Sequence, residues 1–264
     1  MSRYQAMFRR LGNEGAFGGF LMLGDPGMEE SGALLDAMVE GGADMVEVGI
    51  PFSDPIADGP TIQAAADRAL AAGATPAACF EVLKAFRTRY PDVPVGVLTY
   101  ANLVLARGRD AFYRACAEAG VDSVLVADAP VFEAQPFVDA AREHGIDPVL
   151  IAAPNTPPET LKRVAELGRG YTYCVARAGV TGAETEMQLN HSELLGLLQE
   201  YGAPPPVLGF GISKPEHVKA ALDAGAKGVI SGSAIVRLIE RDGDDAGGAV
   251  RDFVRSMKEA VTSA

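Results

Sequence analysis

Short apolar runs alternate with segments of helical period along almost the whole chain. Eight runs can be counted, at residues 17–23, 44–50, 93–99, 123–127, 148–152, 171–175, 206–210 and 228–231. Between and after them, apolar residues recur at the spacing of a helix that buries one face. These helical segments are 29–40, 60–72, 76–89, 110–119, 132–144, 158–167, 192–201, 215–224, 234–239 and, after a break rich in Gly and Asp, 249–261. The pattern therefore predicts repeated strand–helix units.

The apolar runs are continuous rather than alternating, which is typical of parallel strands covered by helices. Eight such units in 264 residues predict an α/β fold, a (β/α)8 TIM barrel, in a single domain over residues 1–264. The alternative is a doubly wound open sheet, which usually has a GxGxxG turn after its first strand. The turn here reads LMLGDPGM and lacks that motif. An extra N-terminal helix is also predicted, with an apolar face made by Tyr4, Met7, Phe8 and Leu11.

Composition and charge restrict the kinds of molecule that this chain is expected to bind. The chain has no apolar run of about 18 residues and no apolar stretch after its basic N-terminus, so we expect neither a membrane span nor a signal peptide. Its three cysteines are far apart, which favours reduced cytoplasmic thiols over disulfides or zinc. A net charge of −12 argues against nucleic acid and anionic membranes. It permits a phosphorylated small substrate, because backbone N–H groups can bind phosphate.

The segment 45–63, MVEVGIPFSDPIADGPTIQ, contains the strongest candidate for chemistry. Side chains alternate along a strand, so Glu47 faces the barrel interior if Val46 and Val48 face the helices. The alternative is a glutamate paired within the helical layer. Inside an apolar barrel the pKa of Glu47 would rise, which suits a general acid and base near neutral pH. Asp58, in the proline-rich loop that follows, is either a second acid of the site or a turn residue.

Two glycine-rich segments follow the last two predicted strands: GFGIS at 209–213 and ISGSAI at 230–235. Barrels often bind phosphate at these two positions through backbone N–H groups, and the alternative is a pair of ordinary tight turns. The segment 177–184, RAGVTGAE, suits a lid over a site, or an ordinary surface loop. Lysine and histidine are poorly placed for a Schiff base or a metal, so neither is expected.

Several motifs taken together resemble the tryptophan synthase alpha chain family. They are FLMLGDP, VEVGIPFSDPIADGPTIQ, LTYANL, DSVLVADAP, ARAGVTGAE, GFGIS and GVISGSAIV, and they extend over nearly the whole chain. The resemblance implies a lyase that cleaves indole-3-glycerol phosphate to indole and glyceraldehyde 3-phosphate without a cofactor of its own. It also implies an α2β2 tetramer, in which indole passes to a beta chain that carries pyridoxal phosphate.

The same resemblance implies functions for individual residues. Glu47 matches the family's proton-transfer group, and Asp58 matches an aspartate thought to assist at the indole N–H. The indole pocket and other substrate contacts match Phe20, Leu98, Tyr100, Leu125, Ala127, Ile151, Tyr173, Thr181, Phe210 and Ile230. The phosphate-binding positions match Gly182, Gly211, Gly232 and Ser233. Positions facing the partner chain or its tunnel match Asp54, Asn102 and Pro130.

The residues alone leave two other functions open. One is a phosphate-binding barrel that acts on a sugar phosphate, although such isomerases usually have a Lys or His at an early strand end, which this chain lacks. The other is a non-catalytic chain that only binds and activates a beta chain. The presence of both Glu47 and Asp58 argues against this second alternative.

Overall fold

The computed structural model describes residues 1–175 and 191–262. In that part of the chain the strand segments, β1 to β9, are Ala16–Met22, Met45–Gly49, Val95–Thr99, Ser123–Val126, Asp147–Pro148, Leu150–Ala152, Thr172–Val175, Pro206–Gly209 and Gly228–Ser231. The helices described, α1 to α12, are Arg3–Leu11, Met28–Glu40, Pro60–Ala71, Pro76–Arg89, Ala101–Arg107, Arg109–Glu118, Gln135–Glu143, Pro158–Leu167, Ser192–Glu200, Pro215–Asp223, Ser233–Asp242 and Ala246–Thr262. Short 3₁₀ turns lie at Val131–Glu133 and Gly243–Asp245.

The strands close into a barrel. Their order is β5-β4-β3-β2-β1-β9-β8-β7-β6, and each neighbouring pair in this order is parallel. Only Val149 separates β5 from β6, and its N–H donates to the Val124 carbonyl at 3.0 Å. β5 pairs with β4 and β6 pairs with β7, so these segments are two halves of the single strand predicted at 148–152. The predicted (β/α)8 barrel is therefore confirmed.

Side chains of each strand divide between two cores, as the period of two requires. Val46 and Val48 pack outward in the layer between strands and helices, together with Leu35 and Phe86. Met45 belongs instead to the core that fills the barrel interior. Because Glu47 alternates with Val46 and Val48, it projects inward with that second set. The predicted orientation of this carboxylate is thus confirmed.

Helix α1 closes the N-terminal end of the barrel. Tyr4, Met7 and Leu11 are buried in the interior core, as the amphipathic pattern predicts. Arg3 also holds α1 in place through an ion pair with Asp122 at 2.8 Å. Asp122 also accepts hydrogen bonds from Arg87 and from the Val95 N–H, so one buried carboxylate joins α1 to two neighbouring units. Replacing it would leave several buried donors unpaired.

The structure differs from the predicted elements at two helices. Helix α5 begins two residues after β3, and a seven-residue helix with a single buried side chain, Val104, is too short to give a clear period. Helix α12 begins at Ala246 and includes Gly247 and Gly248, which the sequence analysis assigned to a break. Ala246 and Val250 are buried in the outer core, and this packing outweighs the low helix propensity of glycine.

Within the described residues, no single helix is both long and apolar enough to cross a membrane. Helices α3 and α4 meet the criteria of length and hydropathy only as a pair, and the pair is bent by 100°.

We predict that Gly41→Ala destabilises the fold by about 1–3 kcal/mol, because the new methyl group overpacks the contact between α2 and α12. Its Cβ would lie 2.7 Å from the Arg251 carbonyl oxygen and 2.8 Å from the Val254 Cβ. Gly196→Ala, on an exposed helical position with open space around it, should instead stabilise by up to about 1 kcal/mol. Urea unfolding of both variants measures the difference, and equal midpoints would contradict the close-contact argument.

Candidate active site

A cavity of about 550 Å³ opens at the C-terminal ends of the strands, its volume including the space at its mouth. Its walls come from β1, β2, β3, β7 and β9 and from the segments that follow β2, β8 and β9. The lining residues are Phe20, Glu47, Asp58, Ile62, Leu98, Tyr173, Phe210, Gly211, Ile212, Ser213, Ile230, Gly232, Ser233, Ala234 and Arg237. The cavity thus has an apolar middle, a pair of acids on one side and a small, polar rim on the other.

Glu47 lies in the middle of β2, in register with Phe20 on β1 and Gly96 on β3. Its side chain is 3% exposed. One carboxylate oxygen, Oε1, accepts a hydrogen bond from the Tyr171 hydroxyl at 2.6 Å, while Oε2 has no partner among the described residues. Burial raises the pKa of Glu47 to about 7, and the bond from Tyr171 partly offsets that effect. The group can therefore both give and take a proton near neutral pH.

Two tyrosines, Tyr171 and Tyr4, support Glu47 from the end of the barrel that α1 closes. The rings of Tyr171 and Tyr4 are in contact, with centroids 5.2 Å apart, and the Tyr4 hydroxyl lies 2.8 Å from the Ser123 Oγ. A Cβ at Gly96 would lie 3.1 Å from the Tyr4 hydroxyl, so glycine leaves room for these groups. The sequence analysis treated Tyr4 only as part of an apolar face and missed Tyr171. A tyrosine among buried positions, whose hydroxyl needs a partner, was the available signal.

Asp58 reaches the same cavity from the loop after β2. It is 4% exposed and accepts a hydrogen bond from the Tyr100 hydroxyl. Tyr100 in turn accepts from the Ala57 N–H at 3.2 Å and stacks on Phe52, with ring centroids 5.4 Å apart. Gln63 donates to the Asp58 carbonyl at 2.7 Å and secures the loop. Burial raises the pKa of Asp58 to about 6, so this carboxyl group also changes charge near neutral pH.

The opposite rim has the features of an anion site. Phe210 and Gly211 both adopt positive φ, at +68° and +77°, which turns the chain sharply after β8. Phe210 is thus strained, since a side chain disfavours that region, and such strain concentrates at functional sites. Helix α11 begins at Ser233 without any side-chain cap, so N–H groups of its first turn remain available to a ligand. The Ser231 hydroxyl donates to the Ile212 carbonyl at 2.6 Å and holds the two segments together.

The structure brings most of the predicted site residues into this cavity. The members that line it are Glu47, Asp58, Phe20, Leu98, Tyr173, Phe210, Ile230, Gly211, Gly232 and Ser233. Tyr100 does not line the cavity and instead positions Asp58. Leu125, Ala127 and Ile151 pack in or against the interior core without lining the cavity.

Other predicted residues lie elsewhere. Asp54, Asn102 and Pro130 are exposed in the segments after β2, β3 and β4, at the end of the barrel where the cavity opens. Thr181 and Gly182, with the predicted lid, lie outside the described residues. The sequence analysis missed several lining residues, and these are Ile62, Ile212, Ser213, Ala234 and Arg237. Their place in the cavity depends on how the loops fold against one another, which the spacing of the predicted segments does not give.

Within residues 1–175 and 191–262, no cluster of three or more His, Cys, Asp or Glu side chains could hold a metal ion. The described groups provide two proton-exchanging carboxyl groups that face an apolar pocket, and the rim opposite has the features of an anion site. A parallel barrel with this site belongs to the class of phosphate-binding barrel enzymes that work by acid–base catalysis.

Comparison with known proteins makes the assignment specific. The model of the tryptophan synthase alpha chain family matches residues 8–263, and the chain belongs to that family. It is 56% identical to the tryptophan synthase alpha chain of Klebsiella pneumoniae over the full length of both chains. The crystal structure of tryptophan synthase subunit alpha from Legionella pneumophila superposes with a TM-score of 0.89 at 28% identity, covering both chains completely.

A structure of the tryptophan synthase α2β2 complex from Pyrococcus furiosus, described in terms of mutual activation, matches with a TM-score of 0.83 at 37% identity. That match covers 92% of this chain and 97% of the other.

We predict that Tyr171→Phe raises the pKa of Glu47 above about 7, because the hydroxyl group that stabilises the ionised carboxylate is lost. Infrared spectra of the carboxyl stretch, recorded between pH 5 and pH 9, would follow this proton directly. Glu47→Gln identifies the band, since it removes the titrating group. An unchanged titration in Tyr171→Phe would show that the hydrogen bond does not tune this acid.

Proposed function

We propose that this chain, as a single barrel domain, catalyses the alpha reaction of tryptophan synthesis. In this reaction indole-3-glycerol phosphate is cleaved to indole and glyceraldehyde 3-phosphate. The observation that carries the proposal is the arrangement of two buried carboxyl groups across an apolar cavity from an anion-binding rim. The indole ring suits the apolar middle, between Phe20, Leu98 and Ile230, and the phosphate suits the rim at Gly211, Gly232 and Ser233.

Glu47 supplies the proton transfers. Protonated Glu47 gives its proton to C3 of the indole ring, which converts the ring to an indolenine cation. The resulting carboxylate then takes the proton of the hydroxyl group on the adjacent glycerol carbon. As that hydroxyl becomes the aldehyde of glyceraldehyde 3-phosphate, the carbon–carbon bond breaks and its electrons restore the aromatic indole. Glu47 ends in its starting state, and no redox partner or cofactor is consumed.

Asp58 acts on the other side of the ring. Its carboxylate accepts the indole N–H and stabilises the positive charge that develops there when C3 is protonated. A pKa of about 6 leaves it mostly ionised near pH 7, while the pKa of about 7 leaves Glu47 evenly divided between its two forms. The two environments thus leave Asp58 more fully ionised than Glu47, and such a difference lets neighbouring acids divide acid and base functions. Proton transfer from a positioned group contributes about 10²- to 10⁴-fold to a rate.

The partner we propose is a tryptophan synthase beta chain, in an α2β2 assembly whose pyridoxal phosphate is carried by the beta chain. Large apolar side chains stand exposed at the cavity end of the barrel, after three adjacent strands. They are Ile56 and Phe132, each 75% exposed, and Leu105, 47% exposed. Exposed apolar groups beside the mouth of a site are typical of a protein interface. The three buried free cysteines fit a reducing compartment, and we place the assembly in the cytoplasm.

Glu47→Gln tests the reaction. We expect indole release from indole-3-glycerol phosphate to fall by at least about 10²-fold, because the amide keeps the shape but cannot exchange the proton. Inorganic phosphate should still bind, since the anion rim is unchanged. Glu143→Gln, at an exposed position on α7, is the matched control and should retain full activity. Near-normal turnover by Glu47→Gln would overturn the assignment, and no turnover by the wild-type chain, with or without a beta chain, would indicate a non-catalytic partner protein.

Phe132→Ser tests the partner surface. We expect weaker binding of a beta chain and a smaller partner-induced rise in indole release, because an exposed apolar anchor is lost. Leu70→Ser is the control, since Leu70 is exposed at the last turn of α3, away from the cavity mouth. Analytical ultracentrifugation and activity titrations with a beta chain measure both effects. Equal behaviour of the two variants would place the interface elsewhere.

A further inference from the structure

We propose that Arg237 is a phosphate-binding residue that supplies a positive charge at the outer end of the anion rim. This inference rests on the proposed function, because it assumes that a phosphorylated substrate occupies the cavity. It adds a side-chain cation to a rim that otherwise offers N–H and hydroxyl groups. No such function was assigned to Arg237 by the sequence motifs.

The position of Arg237 on α11 directs it toward the rim. Ser233 is the first residue of the helix, and residues four apart lie on the same helical face. Both Ser233 and Arg237 line the cavity, whereas Ile235, Val236 and Ile239 are buried on the face that packs against the barrel. Arg237 is half-buried, so its stem is packed while its head group remains accessible.

Within residues 1–175 and 191–262, no other side chain occupies the guanidinium group of Arg237. It has no ion pair or hydrogen bond to any side chain in the described part of the structure, although acidic residues follow it on the same helix. Glu240 pairs with Arg68 on α3 at 3.2 Å, and Asp242 pairs with Arg241 at 2.6 Å. The nearby carboxylates on α11 therefore have their own cations, and Arg237 retains its charge for a ligand.

The charge balance of the cavity explains why a cation is needed there. The chain has a net charge of −12, and two carboxyl groups line the same cavity that must accept a dianionic phosphate. Arg237 is the basic residue among the described lining residues. A guanidinium group binds two phosphate oxygens at once through its planar array of donors, which a lysine cannot match.

Arg237 also lies where a phosphate would enter. Together with Ser213 and Ala234 it borders a second, shallower groove on the surface, which continues outward past Leu238 and Phe253. The residue therefore stands between the cavity and solvent. A cation at such an entrance both attracts an incoming anion and remains in contact with it once bound.

Titration calorimetry with inorganic phosphate, on the full chain, tests the proposal. We expect Arg237→Gln to weaken phosphate binding by roughly tenfold or more, the loss of one charge-assisted hydrogen-bonding group. Arg237→Lys should recover part of the affinity, because it keeps the charge but not the planar fork. Arg114→Gln is the control: it removes the same charge from an exposed position on α6, which lines neither the cavity nor the groove, and should change affinity by less than about twofold.

The activity assay separates this inference from the proposed reaction. With indole-3-glycerol phosphate, Arg237→Gln should raise KM by a similar factor and leave kcat nearly unchanged, because the residue binds substrate without moving protons. Phosphate affinity equal in Arg237→Gln and Arg114→Gln, or no phosphate binding by the wild-type chain, would overturn the inference. Phosphate binding that depends on Arg237 in a chain that releases no indole would instead overturn the reaction and leave the inference standing. Circular dichroism of each variant checks that it is folded.

Discussion

The burial of one carboxyl group inside the barrel is the constraint on which this site depends. Glu47 is almost fully enclosed, and among the residues that the structure describes only Tyr171 gives it a hydrogen bond, to one of its two oxygens. Enclosure disfavours the charged form, so the folded protein holds this proton up to about pH 7, against 4.5 for a free glutamate. The folded state therefore binds more protons than the unfolded state between these two pH values. Burial of Glu47 costs no stability at low pH, and this cost grows as the pH rises from about 4.5 to 7. The protein thus carries a stability cost that makes the acid reactive near neutral pH.

The N-terminal helix supports this acid from outside the regular barrel. Arg3 anchors α1 to the buried Asp122, Tyr4 projects into the interior, and its ring contacts Tyr171. Tyr171 then donates its hydrogen bond to Glu47. A segment that precedes the first strand therefore packs against the tyrosine that hydrogen-bonds to a residue on the second strand. The connection is a continuous set of packed rings and hydrogen bonds.

The two sides of the cavity provide different kinds of stabilisation. The acid side, at Glu47 and Asp58, depends on desolvation, because the exclusion of water raises the pKa of both carboxyl groups toward neutral pH. The opposite rim depends on exposed donors, namely N–H groups at the start of α11 and, in our proposal, the charge of Arg237. Apolar side chains between the two sides keep these environments separate.

The pattern of the sequence determined the fold class, and its resemblance to the tryptophan synthase alpha chain family pointed to most of the residues that line the cavity. Continuous apolar runs that alternate with helical segments sufficed for the barrel, because a parallel strand buried on both faces must be apolar along its length. Alternation placed Glu47 inside, and the glycine-rich turns marked the anion rim. Helix α5 and the glycine-bearing start of α12 were not predicted, because short helices give weak periodicity and tertiary packing overrides propensity.

Only the tertiary structure decided how distant side chains combine. Tyr171 and Tyr4 carry no local signal for proton chemistry, and they matter because barrel closure stacks them beneath Glu47. Likewise, Tyr100 holds Asp58 instead of lining the pocket, and Arg237 reaches the rim because α11 starts there. Periodicity reports which face of an element is buried, a property of neighbouring residues in the chain. Contacts between elements depend on the packing of the whole barrel, which no local pattern contains.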